Sequence, residues 1–131
     1  MKKKILLVED HKLTANLFIN LIEFIGGCEV FWASTCDDAL KIGEENKDIA
    51  LVFMDGSLDE RKCLDTEDLT RQVKLLCPNA IMIATSSNPG WNDQLVQAGC
   101  HEGLLKTEAF DFNRLKKTIQ TLNQTPTPGR V

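Results

Sequence analysis

The sequence predicts an α/β fold: a doubly wound, five-stranded parallel sheet with helices on both faces. Short apolar runs alternate about five times with longer segments of helical periodicity, which is typical of consecutive βαβ units. The runs are continuously apolar, as expected for strands that helices cover on both faces. A length of 131 residues, with 43% hydrophobic and 26% charged residues, fits one globular domain.

The first half of the chain contains three predicted strands and two predicted helices. The strands are the apolar runs at residues 5–8, 30–33 and 49–54. The apolar face of the first helix is predicted from spacings of four, four and three residues between Leu13, Leu17, Leu21 and Phe24. Ser34 or Thr35 is expected to cap the second helix, which ends near Asn46.

The second half begins with a mostly charged loop at residues 59–68, which leads into a helix at 69–76 and a strand at 80–84. A turn at 88–90, a short helix at 91–98 and a short strand at 103–105 follow. The last helix runs from about 110 to 122 and places four apolar side chains on one side, Phe112, Leu115, Ile119 and Leu122. Prolines and a glycine in residues 124–131 predict a flexible tail or the start of a linker. The domain is therefore expected to span residues 1–123.

Composition argues against several classes of protein. The net charge is −4 and the pI near 5.1, so no basic field is available for direct nucleic-acid binding. Glu9 and Asp10 interrupt the first apolar run, which is too short for a signal peptide, and no run is long enough to span a membrane. Five scattered cysteines without CxxC spacing favour buried thiols over disulfides or zinc. A cytoplasmic protein is expected.

Polar residues mark the ends of four predicted strands. Glu9 and Asp10 follow the first strand, Asp55 the third, Thr85 the fourth and Lys106 the fifth. Right-handed crossovers keep the strands parallel, so these positions share one rim of the sheet. Ligands of open α/β sheets bind at that rim, and these side chains are therefore expected to form one site.

The residue types at these strand ends fit phosphoryl chemistry. Three close carboxylates repel one another, and Mg²⁺ would relieve the repulsion because it prefers oxygen ligands. The Asp55 carboxylate can attack phosphorus to form an acyl phosphate. Lys106 offers a point charge and Thr85 a hydroxyl for the phosphoryl oxygens.

These segments resemble the response-regulator receiver family across residues 3–122. Residues 4–10 (KILLVED) are similar to its opening strand and acidic pair, and residues 51–55 (LVFMD) to its phosphoacceptor strand. Residues 83–86 (IATS) match its switch Thr/Ser segment. Residues 98–102 (AGCHE) lead to the lysine as that family's Ala-Gly segment does.

The resemblance implies a flavodoxin-like strand order of 2-1-3-4-5 and a Mg²⁺ site made by Glu9, Asp10, Asp55 and the backbone carbonyl of Ser57. It implies that Asp55 takes a phosphoryl group from a histidine kinase or phosphotransfer protein, with self-catalysed transfer and dephosphorylation. Thr85 and Lys106 would then contact the phosphoryl group. A downstream effector would bind the face made by the last two helices and the fifth strand, and a homodimer is possible in this family.

Four positions depart from the family pattern. Asp59 replaces the usual proline after the acceptor and Cys63 the usual glycine, so this loop is expected to have its own shape. Gly103 replaces the aromatic residue whose ring rotates on activation. Thr107 replaces the proline after Lys106, so a trans peptide bond is expected there.

Two other functions compete with this interpretation. Gly103 and the unusual loop would suit a module that binds partners without phosphorylation, a pseudo-receiver, although such a module needs none of the five polar residues. A small hydrolase of the aspartyl-phosphate type would need a second Asp where Ser57 lies. His11 is expected to be an exposed residue that opens the first helix, and Trp32 to pack beneath a helix, whereas packing and partner contact remain open for Trp91.

Overall fold

The computed structural model describes residues 2–56, 58–59 and 65–124, which form five strands and six helices. The strands are β1 Lys3–Val8, β2 Cys28–Ala33, β3 Leu51–Met54, β4 Ile81–Thr85 and β5 Glu102–Leu104. The helices are α1 Lys12–Ile25, α2 Cys36–Glu45, α3 Thr66–Leu76, α4 Pro89–Ala98, α5 Lys106–Ala109 and α6 Phe112–Asn123.

The five strands form one parallel sheet in the order β2-β1-β3-β4-β5. The predicted doubly wound fold and its strand order are confirmed. In the ladder, Val8 of β1 is paired with Met54 of β3, and Met54 with Ala84 of β4. Thr85 is paired with Leu104 of β5. The carboxyl ends of the four strands therefore lie side by side.

Two hydrophobic cores lie on opposite faces of the sheet. Successive strand residues point to opposite faces, so Leu51 and Phe53 pack in one core while Val52 and Met54 pack in the other. We call the first the α1 core, since α1, α5 and α6 cover it, and the second the α3 core, covered by α2, α3 and α4. All four β3 residues are buried, which explains the continuous apolar run in the sequence.

Side-chain caps determine where the helices begin. Thr35 caps α2 by accepting the Asp38 amide N–H at 3.1 Å. Asp65 caps α3, so that helix begins before the predicted end of the charged loop. Asn88 caps α4, with Pro89 in its first turn, so the predicted turn at 88–90 is the start of a helix. Proline suits this position because its missing N–H would have no helical acceptor there.

The apolar face predicted for α1 is not the buried one. Leu13 is 74% exposed and Phe24 80% exposed, while the α1 core is contacted instead by Ala15, Phe18 and Ile22. The helix thus has two apolar faces, and spacing alone could not decide which faces the sheet. Leu13, Leu17 and Phe24, called the α1 stripe below, form the outward face, whereas Leu21 is half-buried against the α1 core. The Phe24 ring packs on Phe112 of α6 with centroids 5.8 Å apart.

Three cysteines of the described residues, Cys28, Cys77 and Cys100, are buried free thiols. Cys36 is disulfide-bonded, so the prediction of thiols alone is wrong at this position. No helix in the described part of the chain is long and apolar enough to cross a membrane. The predicted tail beyond residue 124 and Cys63 of the predicted loop lie outside the described residues.

Candidate functional site

The sheet register places three of the predicted site residues in one row. Glu9 and Asp55 are the first residues after β1 and β3, beyond the pair formed by Val8 and Met54. Thr85 occupies the equivalent position on β4, where it is the last strand residue. Each of the three is only 1% exposed. Their burial follows from the helices that cover both faces of the sheet.

Lys106 joins this row from the next strand. It comes two residues after the pair of Thr85 with Leu104 and begins the short helix α5. Its Nζ atom donates to Glu9 Oε1 at 2.7 Å and to Asp55 Oδ2 at 3.3 Å. The lysine side chain is 19% exposed. One ammonium group therefore bridges two buried carboxylates that come from different strands.

The third carboxylate lies at the mouth of this cluster. Oxygen atoms of Glu9, Asp10 and Asp55 all lie within 4.8 Å of one another, and Asp10 is half-buried. Asp10 Oδ2 also accepts the backbone N–H of Asp59 at 3.2 Å. Within the described part of the chain, Lys106 supplies an ammonium group to two of these carboxylates, Glu9 and Asp55. Oxygen donors and negative charge fit a hard divalent cation such as Mg²⁺. Ser57, the fourth predicted ligand, lies outside the described residues.

The surroundings of Glu9 make its proton hard to remove. Burial raises the pKa of Glu9, and so do its hydrogen bond to Asp55 and the charge of Asp55, while the hydrogen bond from Lys106 lowers it; the result is a pKa of about 7. For Lys106, burial lowers the pKa, but the hydrogen bond to Glu9 and the charges of Asp55 and Glu9 outweigh it and raise it above the ordinary value. A bound cation would favour the ionised carboxylate by replacing the proton.

Any affinity of this cluster for Mg²⁺ should therefore depend on pH. With the Glu9 pKa raised to about 7, Mg²⁺ must displace a proton at lower pH, and its apparent affinity should rise by about tenfold per pH unit up to that value. Above pH 7 the affinity should level off. Tryptophan fluorescence during Mg²⁺ titrations between about pH 5.5 and 8.5 measures this.

The stability of the metal-free protein should fall as pH rises, whereas the affinity for Mg²⁺ rises. Because the folded pKa of Glu9 exceeds the unfolded value, this group stabilises the fold below about pH 4.5, and the contribution is lost as pH rises through about 7. A Glu9→Gln protein should show a flatter pH dependence of Mg²⁺ affinity and of stability. Equal wild-type affinity at pH 5.5 and 8.5 would rule out the proton displacement.

His11 and Trp32 both donate hydrogen bonds to Glu9. His11 is exposed and caps α1, as predicted, and its backbone N–H donates to Glu9 Oε2 at 3.2 Å. The half-buried Trp32 packs against the α1 core, and its Nε1 donates to the Glu9 backbone carbonyl at 2.7 Å. The predicted packing role of Trp32 is confirmed, and the bond to Glu9 is an addition that the sequence did not indicate.

Helix α4 lies directly against the residue that follows Asp55. A Cβ added to Gly56 would lie 3.1 Å from the Trp91 Cβ and 3.2 Å from Leu95 Cδ1. A side chain at this position would require these two neighbours to shift slightly. Trp91 is 43% exposed, so it both packs near the site and presents surface to solvent.

Asn92 is a buried polar residue that sequence reasoning missed. It is 5% exposed and bonds to the backbone of Ser86 and Leu104. Its position three residues before the buried Leu95 was the available signal, because a polar side chain on a buried helix face needs hydrogen-bond partners. The described residues contain no cis peptide bond, so the expected trans bond between Lys106 and Thr107 is confirmed.

The chain is similar to known proteins both in sequence profile and in fold. A family profile described as the response regulator receiver domain matches residues 5–120. Comparison with curated proteins finds no match. Among solved structures, the chain resembles the receiver domain of a sensor histidine kinase from Pseudomonas aeruginosa PAO1, which has magnesium coordinated in its active site cleft. The TM-score is 0.78 at 22% identity, covering 95% of this chain and 100% of that one.

Two further structures show the same fold. A CheY-like receiver domain protein from Methanospirillum hungatei JF-1 has a TM-score of 0.76 at 20% identity, covering 95% of this chain and 98% of that one. A response regulator from Burkholderia pseudomallei, with a phosphorylated aspartic acid, calcium ion and citrate, has a TM-score of 0.71 at 19% identity. That alignment covers 95% of this chain and 76% of the other.

Proposed function

The chain belongs to the response regulator receiver domain family, and we propose that it takes a phosphoryl group on Asp55 and thereby changes its affinity for a partner. The contact of Lys106 with both Glu9 and Asp55 is the observation that carries this proposal. It joins a nucleophile, a charge partner and a metal-binding carboxylate within one buried cluster. Phosphoryl transfer needs such positioned charges more than it needs covalent chemistry from the protein.

The transfer step needs the groups of this cluster, a bound divalent cation and a phosphoryl donor. An Asp55 carboxylate oxygen attacks phosphorus and forms a new P–O bond, while the bond from phosphorus to the donor breaks and its electron pair stays on the donor. The Lys106 ammonium offsets charge on the phosphoryl oxygens, and the Thr85 hydroxyl donates to one of them. Attack of water on phosphorus reverses the change and releases inorganic phosphate and the Asp55 carboxylate.

A divalent cation completes the charge balance. We assign Mg²⁺ to Glu9, Asp10 and Asp55, with the backbone carbonyl of Ser57 as a further ligand. The bound ion would neutralise negative charge that builds up on the phosphoryl group. The magnesium in the cleft of the Pseudomonas structure supports this choice of ion.

Acetyl phosphate tests the proposal because it needs no protein donor. Wild-type protein should gain the mass of one phosphoryl group in the presence of Mg²⁺ and none when the metal is chelated. Intact mass spectrometry measures both states. Absence of the adduct from folded protein with Mg²⁺ would favour the pseudo-receiver, the module that binds partners without phosphorylation; the replacement of the family's aromatic residue by Gly103 is the feature that would suit it.

The natural donor would be a histidine kinase or phosphotransfer protein, and the output a downstream effector protein or domain. Residues 1–123 would form the switch domain and 124–131 a tail or linker. The location in the cytoplasm, the absence of direct nucleic-acid binding and the possible homodimer stay predictions.

The α1 stripe is the surface that we propose for the protein donor. Leu13 lies three residues after Asp10, so the stripe begins next to the carboxylate cluster that contains Asp55. Its residues are exposed although apolar, and contiguous exposed apolar surface marks protein contact sites. A donor seated here would bring its phosphoryl group to the cluster.

Leu13→Gln should weaken transfer from a protein donor without affecting acetyl phosphate. Burying a leucine against a partner contributes about 1.5–3 kcal/mol, so the rate from a donor that labels wild type should fall by about tenfold. Stability should change by less than about 0.5 kcal/mol, because the side chain contacts mainly solvent. Leu75→Gln on α3, where Leu75 is 82% exposed, is the matched control. An unchanged donor rate would place the donor elsewhere.

A further inference from the structure

We propose that Asn92 is a positioning residue that ties the backbone beside Thr85 and Lys106 to α4, so that a phosphoryl group on Asp55 changes the first turn of α4 through this side chain. The inference rests on the proposed function and names how that site acts on the surface of the molecule. The carrying observation is one buried carboxamide that bonds to the backbone of Ser86, just after β4, and of Leu104, the last residue of β5.

The Asn92 carboxamide uses all of its hydrogen-bonding groups in these contacts. Its Oδ1 accepts the Ser86 backbone N–H at 2.8 Å, and its Nδ2 donates to the carbonyls of Ser86 at 3.2 Å and Leu104 at 3.0 Å. Both amide hydrogens and the oxygen therefore have partners. In a buried setting such bonds hold their geometry, because breaking one leaves a polar group without water.

The two segments held by Asn92 lead directly to the groups that would contact the phosphoryl oxygens. Ser86 is the residue after Thr85, and Leu104 comes two residues before Lys106. Leu104 is also the ladder partner of Thr85. A backbone shift at Thr85, or along the segment from Leu104 to Lys106, would therefore move a group that is bonded to Asn92.

Gly103 leaves the space that this arrangement needs. A Cβ at position 103 would lie 2.8 Å from the Asn92 Cβ, closer than side chains pack. No side chain at 103 can coexist with the present position of Asn92. Asn92 thus occupies the space that a side chain at position 103 would need.

Trp91, the residue before Asn92, brings the same turn of α4 close to the segment that follows Asp55. Trp91 packs over Gly56, which follows Asp55. One helical turn therefore contacts Gly56 after β3, Ser86 after β4 and Leu104 at the end of β5. Because Trp91 is partly exposed, a shift of this turn changes surface that a partner can contact.

The two tryptophans of the chain allow a test with an internal reference. In protein labelled with 5-fluorotryptophan, Trp32 reports on the site through its bond to Glu9, and Trp91 reports on α4. Trp91→Phe assigns the two ¹⁹F resonances. Addition of Mg²⁺ and beryllium fluoride, a phosphoryl analogue, should shift both resonances in the wild type.

In Asn92→Ala, the Trp32 shift should persist while the Trp91 shift falls to about a third or less of the wild-type value. A role in packing alone would lower the melting temperature of both states and leave the Trp91 response intact. Gln94→Ala, which removes an exposed carboxamide from the same helix, is the matched control and should respond like the wild type.

A full Trp91 response in Asn92→Ala, or a silent Trp91 in the wild type, would overturn the inference while a shifted Trp32 keeps the proposed function. A silent Trp32, together with the absence of an acetyl phosphate adduct, would overturn both. Should the alanine variant fail to fold, Gly103→Ala tests the same contact from β5. Its added Cβ must separate β5 from Asn92, and the same loss of the Trp91 response is expected.

Discussion

Asp55→Asn should abolish phosphoryl uptake from acetyl phosphate, a loss on the order of 10³-fold or more. An amide oxygen is a far weaker nucleophile than a carboxylate. Glu9 and Asp10 follow β1 rather than β3, so neither lies at the position of Asp55 next to Thr85. The substitution also removes one of two adjacent buried carboxylates. Metal-free protein at pH 8 should therefore become more stable by about 1 kcal/mol, since the Glu9 pKa no longer rises through Asp55.

Intact mass after incubation with acetyl phosphate and Mg²⁺ measures the first effect, and urea unfolding measures the second. Asp93→Asn removes an exposed carboxylate from α4 and should be labelled like the wild type. A phosphoryl adduct of undiminished amount in Asp55→Asn would show that another residue accepts the group, and the proposed function would have to be abandoned.

Lys106→Met should destabilise the metal-free protein by about 3 kcal/mol at pH 8. The variant leaves Glu9 and Asp55, each 1% exposed, without the ammonium group that bridges them. The cost should be smaller at pH 5.5, because Glu9, with its pKa raised, takes up a proton in place of the lost charge. Mg²⁺ should restore more stability to the variant than to the wild type, since the ion supplies the missing positive charge.

Urea unfolding at both pH values, with and without Mg²⁺, measures these differences. Lys41→Met on α2 removes an exposed lysine and should change stability by less than about 0.5 kcal/mol at either pH. If Lys106→Met unfolds at the wild-type urea concentration at pH 8, the bridge does not stabilise the carboxylate cluster.

The sheet and the polar row could be predicted because both follow from short-range rules. Continuous apolar runs identify buried parallel strands, and the residues that follow those strands share one rim by topology. The placement of Glu9, Asp55, Thr85 and Lys106 at one rim could therefore be predicted without coordinates. The pairing of Lys106 with Glu9 as well as Asp55 depends on side-chain conformations that no spacing rule specifies.

Features that depend on packing were not predictable in the same way. The α1 helix has two apolar faces, and the sequence favoured the one that the structure leaves outside. The short helix α5 was not predicted because four residues are too few to show a helical periodicity. Asn92 was overlooked because its hydrogen bonds reach the backbone of two other segments, one of which is a strand residue twelve positions later in the chain.

Successive side chains of β3 point alternately into the two cores, and the strand ends at Asp55. This arrangement limits which sequence changes the strand can tolerate. Exchanging one apolar side chain for another in residues 51–54 alters packing on one face only. Inserting or deleting a single residue there would turn every later side chain of the strand to the opposite face and move Asp55 out of the row with Glu9 and Thr85. Substitutions should therefore accumulate in this strand far more readily than changes of its length, and any tolerated insertion should fall in the loops at the opposite end of the sheet.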